Sequence, residues 1–253
     1  MSGYGSFALF YDRLIQVDYA ARADYLLSLF ARHGCATDSL LDLACGSGTL
    51  TVELAQRGCD MIGVDGSADM LAVAREKPEA AGLLFLEQDM RELDLYGTVD
   101  GAVCALDSFN HLLSTADLAA ALARLSLFVK PDGLLIFDVN TPYKHRTVLG
   151  DNTFVLEQDG LMCVWQNRLI AHTCEVEMLL DIFAEDTDGQ YERYSETVRE
   201  RAYSLPTWRK LLVGADFELL AVYGDMTTAP PADDEERWVL VARNRTDRYA
   251  CDK

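Results

Sequence analysis

The sequence predicts an α/β fold: a doubly wound parallel sheet into which an antiparallel β lid is inserted late in the chain. Three observations carry that expectation. Between residues 40 and 139, short apolar runs alternate with amphipathic segments, as βαβ crossovers require. The first run, Leu40-Leu41-Asp42-Leu43-Ala44, breaks into the glycine turn Cys45-Gly46-Ser47-Gly48, after which a helix over 49–57 would aim its free amides at a ligand. Beyond Thr141-Pro142 the pattern becomes the two-residue alternation of antiparallel strands.

The elements follow in order. Leu9, Phe10, Leu14, Ile15, Tyr19, Leu26, Leu27, Leu29 and Phe30 recur at helical spacing and predict two helices over 7–33, broken near Val17 and Asp18. Strands are then expected at 40–44, 60–64, 83–87, 99–105 and 133–139, with helices at 48–57, 67–76 and 115–129. Ser67 is placed to cap the helix that begins there. Pro131-Asp132-Gly133 reads as a turn ending one helix and launching the next strand. The insert divides into strands at 153–158, 161–169, 174–185 and 190–203, with turns at Asp159-Gly160 and Asp188-Gly189. A helix at 206–214 and strands at 217–223 and 236–243 return to the main sheet, and the polar tail 244–253 is expected to fray. No internal repeat and no low-complexity segment is present.

With 253 residues, half of them apolar, the chain can bury one large core plus a small appended unit. The N-terminus has no basic stretch ahead of an apolar run, and no apolar stretch approaches the ~20 residues of a membrane span, so a cytoplasmic location is expected. The seven cysteines form no Cys-x-x-Cys pair and no regular framework, which predicts free thiols and no metal site. A net charge of −19 without a basic run argues against nucleic acid as partner. A solvated cytosolic surface accounts for most of that charge.

Asp42 just before the glycine turn and Asp65 at the end of the next strand define the candidate site. An acid at the position of Asp65 sits where a βαβ unit meets a ribose. A dinucleotide fingerprint wants a third glycine where this chain has Thr51, and Asp42 would repel a diphosphate but can accept a hydrogen bond from an ammonium group. These features argue against a nicotinamide oxidoreductase. On Asp42-Leu43-Ala44-Cys45-Gly46-Ser47-Gly48 and Asp65, the chain resembles the class I, Rossmann-like S-adenosylmethionine-dependent methyltransferases. The segments Phe137-Asp138-Val139-Asn140-Thr141 and Arg201-Ala202-Tyr203-Ser204 are similar to those of uncharacterised bacterial members, and the insert resembles the lids of sugar-amine and glycine N-methyltransferases.

The resemblance implies a seven-stranded mixed sheet whose last strand is antiparallel, divided as an N-terminal helical flap (1–35), a cofactor-binding core (36–142), the β lid (143–204) and the end of the core sheet (205–253). It implies that the loop through Ala44, Gly46 and Gly48 holds the methionine moiety of S-adenosyl-L-methionine, that Asp65 with Gly66 meets the ribose, and that Asp89 and the Met90 amide meet the adenine. Asp89 has a second reading, as cap of the following turn. Met70 packs either on the adenine face or in the core. Leu106 and Asp107 would lie beneath the sulfonium.

Methyl transfer from a sulfonium chiefly needs alignment and exclusion of water, so catalytic residues are harder to read than cofactor contacts. The ordinary pKa of a histidine side chain makes His111 the candidate proton acceptor, and it is alternatively a cap or packing residue at a helix start, with Asn110 equally ambiguous. Tyr11-Asp12 resembles a tyrosine–acid pair that closes over the cofactor carboxylate, although Tyr11 also suits helix packing; Tyr4 belongs to the same flap, and Arg22 is a candidate partner for that carboxylate. In the insert, Trp165, Arg168, Tyr191 and Tyr194 accompany Arg193, Arg199 and Arg201, which share one face of an alternating strand and either meet an anionic acceptor or pair with nearby acids. The expected function is methyl transfer to a small-molecule acceptor, an amine before a hydroxyl, by a monomer or homodimer using no metal. The rival is a catalytically silent cofactor-binding protein.

Overall fold

The computed structural model describes residues 6–246, so Tyr4, Cys251 and the end of the polar tail lie outside the described residues. Seven strands form the main sheet: β1 (Ser39–Leu43), β2 (Asp60–Asp65), β3 (Leu84–Glu87), β4 (Val99–Cys104), β5 (Val129–Asn140), β10 (Phe217–Gly224) and β11 (Arg237–Asn244). Their order is β10-β11-β5-β4-β1-β2-β3, and only β11 runs against its neighbours. Sequence alternation explains the two layers. Leu41 and Leu43 of β1 face a core with Phe109, Phe137 and Trp208, beneath α5 (Thr115–Phe128) and α6 (Leu205–Gly214). Leu40, which precedes them, faces the opposite core with Leu29 and Phe30 of α2 (Tyr19–Arg32) and Leu50 and Leu54 of α3 (Thr49–Gln56). Because both faces of β1 are covered, it reads as a continuous apolar run broken only by Asp42. The chain leaves β1 for β2 on one side and reaches β4 on the other, and this switch point opens a crevice at the carboxyl ends of these strands.

The second sheet is the predicted lid: β6 (Thr153–Gln158), β7 (Leu161–Ile170), β8 (Glu175–Glu185) and β9 (Tyr191–Arg201), antiparallel in that order. Its inner residues Cys163, Val176, Met178, Leu180, Ile182 and Val198 pack on Phe7, Leu14 and Leu149. The N-terminal segment thus fills the space between lid and core.

The two expected N-terminal helices form with their break at 15–18, two further local expectations are corrected, and one element was not foreseen. The start of the chain is a 3-10 turn at Ser6–Leu9 and a single α turn, α1 (Tyr11–Leu14), before α2, which Asp18 caps by accepting from Ala21 N. Pro131-Asp132-Gly133 does not precede β5 but bulges within it: Val99 pairs with Val129, yet Gly101 pairs with Leu134. Only glycine fits at 133, where a Cβ would stand 2.4 Å from Asp100 O. His111 does not begin a helix; it ends a 3-10 turn at Ser108–His111, and α5 starts later, capped by Ser114. A π-helical turn at Lys144–Leu149, which carries the chain from core to lid, had no sequence signal.

Candidate active site

A cavity of about 330 Å³ opens at the switch point, walled by the glycine loop, the ends of β1, β2 and β4, α1 and the lid. The turn after β1 is formed by positive φ at Ala44, Gly46 and Gly48 (59°, 54° and 72°). Gly48 begins α3, and a Cβ there would stand 2.9 Å from both Ala74 Cβ and Phe85 Cε1. Glycine at 48 therefore lets α4 (Ala68–Glu76) and β3 close under the loop, while Gly46 borders the cavity.

Two carboxylates face this space. Asp42 is 2 % exposed and accepts a 2.6 Å hydrogen bond from Thr51 Oγ1, which gives the residue at the missing third glycine a purpose. Burial pushes the Asp42 pKa up to about 7, against the opposing Thr51 hydrogen bond. Asp65 accepts from Gly46 N through Oδ2 and from Ser67 N through Oδ1, both at 2.8 Å. Burial raises its pKa, and those amide bonds oppose the rise. Ser67 in turn caps α4 by accepting from Met70 N, fixing Met70 in the wall.

The loop after β4 has two consecutive left-handed residues, Leu106 (φ 56°) and Asp107 (φ 54°). Such backbone needs external restraint. Asp138 of β5 supplies it, accepting from Leu106 N at 2.9 Å and Asp107 N at 2.8 Å. Arg237 of β11 pairs with both Asp138 and Asp107, and Asn140 Nδ2 links Asp107 to the buried Glu200 of the lid. Burial alone would lower the Arg237 pKa, but the facing carboxylates of Asp107 and Asp138 raise it. Glu200 lies below the ordinary carboxylate range: burial works against this, but the His145 ring, whose Nε2 stands 3.5 Å away, the His111 ring and the Asn140 amide that donates to it all lower it.

Tyr11 and Tyr19 reach the cavity from the N-terminal segment, and burial raises the pKa of each hydroxyl, keeping it neutral. Asp12 does not face the cavity. It clasps the loop from outside, accepting from Ser47 Oγ at 2.7 Å, Thr49 Oγ1 at 3.0 Å and Lys77 Nζ at 2.6 Å. Lys77 also donates to Ser47 O and Thr49 Oγ1.

Of the residues singled out in the sequence, Tyr11, Asp42, Ala44, Gly46, Asp65, Gly66, Met70, Met90, Leu106 and His111 line one cavity. Gly48 and Asp107 lie behind its wall. Asp89 is outside the lining; its carboxylate accepts from Arg91 N, Nε and Nη2 and caps the 3-10 turn at Met90–Glu92, which is the second of its two readings. Arg22 is buried against Asp138 and Asp225 and does not line the cavity. Arg193 pairs with Asp181, and Arg199 with Glu175 and Glu177, so two of the three lid arginines are matched by neighbouring acids. Among the described residues, no group of three or more His, Cys, Asp or Glu could hold a metal ion, and no helix is long and apolar enough to cross a membrane. Sequence reading missed Tyr19, Lys77 and the Asp138–Arg237 pair; the signal for the last was an acid inside the apolar run of β5.

A glycine loop at the switch point, acids closing β1 and β2 and a lid over the crevice define the class to which comparison with known proteins also leads. The family described as Methyltransferase domain matches residues 40–133. A "Putative methyltransferase" of Geobacillus sp. (strain WCH70) is 33% identical over 95% of this chain and 99% of its own length. The crystal structure of an S-adenosylmethionine-dependent methyltransferase from Clostridium acetobutylicum ATCC 824 superposes with a TM-score of 0.86 at 30% identity, over 95% of this chain and 98% of that one. The dTDP-3-amino-3,6-dideoxy-alpha-D-glucopyranose N,N-dimethyltransferase of Streptomyces fradiae is 37% identical over 138 residues, 53% of either chain. The chain belongs to the S-adenosylmethionine-dependent methyltransferase family.

Proposed function

We propose that this protein methylates the nitrogen of a small amine, such as an amino sugar or an amino acid, using S-adenosylmethionine. The observation that carries the reading is the single cavity that brings Asp42 and Asp65 together with His111 and two neutral tyrosine hydroxyls under a lid. That donor set fits the cofactor. Asp65 spends one lone pair of each oxygen on a backbone amide and keeps the others for a pair of ribose hydroxyls. Asp42 offers a carboxylate to an ammonium group, and Met70 and Met90 supply apolar walls for a flat base. S-adenosylmethionine, when bound, supplies an electrophilic methyl on a sulfonium whose leaving group is a neutral thioether.

The remaining work falls to this chain. The Leu106 backbone, held by Asp138, fixes the floor. The lid and α1 exclude water and restrict the acceptor to one approach. His111 takes the proton that an amine sheds when its nitrogen gains a carbon substituent. Tyr11 and Tyr19 stay protonated and serve as hydrogen-bond donors.

The test is transfer of radiolabelled methyl from the cofactor to amino sugars, amino acids and their hydroxyl counterparts. Label on nitrogen, reduced at least tenfold in His111→Ala, is the expected result. Transfer to oxygen alone, or tight S-adenosylhomocysteine binding without transfer to any acceptor, overturns the reading.

A further inference from the structure

We infer that the open edge of β9 at Thr197 and Arg199 is a main-chain docking site for the acceptor, taking the hydrogen-bond donor and acceptor groups that flank its amine. The inference rests on the methyl-transfer reading above.

Strand β9 is the last of the lid sheet and, among the described residues, pairs only with β8. The side it leaves free follows from two bonds. Ala202 N donates to Cys174 O at 3.1 Å, so residue 202 faces β8, whereas Arg201 O accepts from Asn110 Nδ2 at 2.9 Å on the other side. In an antiparallel ladder alternate residues turn both backbone groups the same way. Thr197 and Arg199, in phase with Arg201, therefore direct N–H and C=O away from β8.

Asn110 covers this edge at Arg201, and Phe7 stands on the inner face of the lid at the next position back from Thr197, its N–H donating to the Glu196 side chain at 3.0 Å. Between these two positions, Thr197, Val198 and Arg199 line the same cavity as Tyr11 and His111. The Arg199 guanidinium is already matched by Glu175 and Glu177, so the edge offers backbone polarity more than charge. Two N–H/C=O pairs about 6.5 Å apart, at two residues' rise, suit a neutral ligand carrying a donor and an acceptor beside the amine. The amide of an aminoacyl compound and the hydroxyls of an amino sugar share that chemistry.

The test exploits the parity of the strand. Thr197→Pro deletes an N–H that the ladder does not use, a change that edge strands tolerate. Arg199→Pro does the same at the next outward position. Arg193→Pro repeats the change on the same edge outside the cavity. Protein saturated with S-adenosylhomocysteine is titrated calorimetrically with glycinamide, glucosamine and propylamine.

Glycinamide or glucosamine should bind at least tenfold more tightly than propylamine, the winner telling amide from hydroxyl. That advantage should vanish in Thr197→Pro or Arg199→Pro and survive in Arg193→Pro, with S-adenosylhomocysteine affinity within twofold throughout. Equal binding of all three amines overturns the inference, as does an advantage that persists in both cavity variants. Failure of S-adenosylhomocysteine to bind the unaltered protein would overturn the methyl-transfer reading itself, and the docking site with it.

Discussion

At the scale of single residues, Asp42 and Asp65 divide the work through their surroundings. Asp65 is charge-stabilised by two backbone amides, and its free lone pairs are what the cavity receives. Asp65→Ala removes hydrogen bonds to a charged group, worth about 1.5–3 kcal/mol, so S-adenosylhomocysteine should bind ten- to a hundredfold more weakly by calorimetry. Asp42 is held by burial near a pKa of about 7, above its unfolded value. The sign follows. A carboxyl whose folded pKa is raised binds its proton more tightly in the native state, so stability falls as pH rises from about 4 to 7 and levels off above. Affinity for the ammonium-bearing ligand should run the other way, increasing between pH 6 and 8 as Asp42 ionises. Titrations across that range check this, and in Asp42→Asn the profile should be flatter and the affinity uniformly lower.

At the scale of elements, the glycine loop was legible because its information is local. Apolar run, acid, two glycines and helix fall within ten residues, and each has a backbone reason. Gly48→Ala should test the tightest of them. The new Cβ meets Ala74 and Phe85 at 2.9 Å in a left-handed conformation, which should cost about 1–3 kcal/mol in urea unfolding. Trimming the ring with Phe85→Leu should recover part of that loss. The loop after β4 was legible only as a location. Its conformation depends on Asp138 and on Arg237, 130 residues beyond Asp107, and no spacing within one segment encodes such a pairing. Asp138→Ala strips Leu106 N and Asp107 N of their acceptor and leaves Arg237 half-paired. Hydrogen exchange at Leu106 should accelerate at least tenfold, with weaker cofactor binding.

At the scale of the whole molecule, strand number, lid and order of elements followed from periodicity, because layers that bury apolar faces impose it on the sequence. The contacts between layers did not follow. Asp12, read as part of a pair above the cofactor, in fact grips the outside of the glycine loop together with Lys77, since both lie on surfaces that only the folded chain brings together. Burial works against its charge, but hydrogen bonds from Lys77, Ser47 and Thr49 hold the Asp12 pKa below its ordinary value. Asp12→Asn should speed S-adenosylhomocysteine dissociation severalfold in stopped-flow measurements while leaving the lid folded. The segment that bears Asp12 is also wedged into the lid through Phe7 and Leu14, and Phe10 packs on Tyr194 at 5.2 Å. Opening at Asp12 and Lys77 should therefore disturb the roof as well, which is expected to couple the departure of spent nucleoside to that of product. Added salt, by weakening a half-exposed ion pair, should hasten turnover wherever that exit is the slow step.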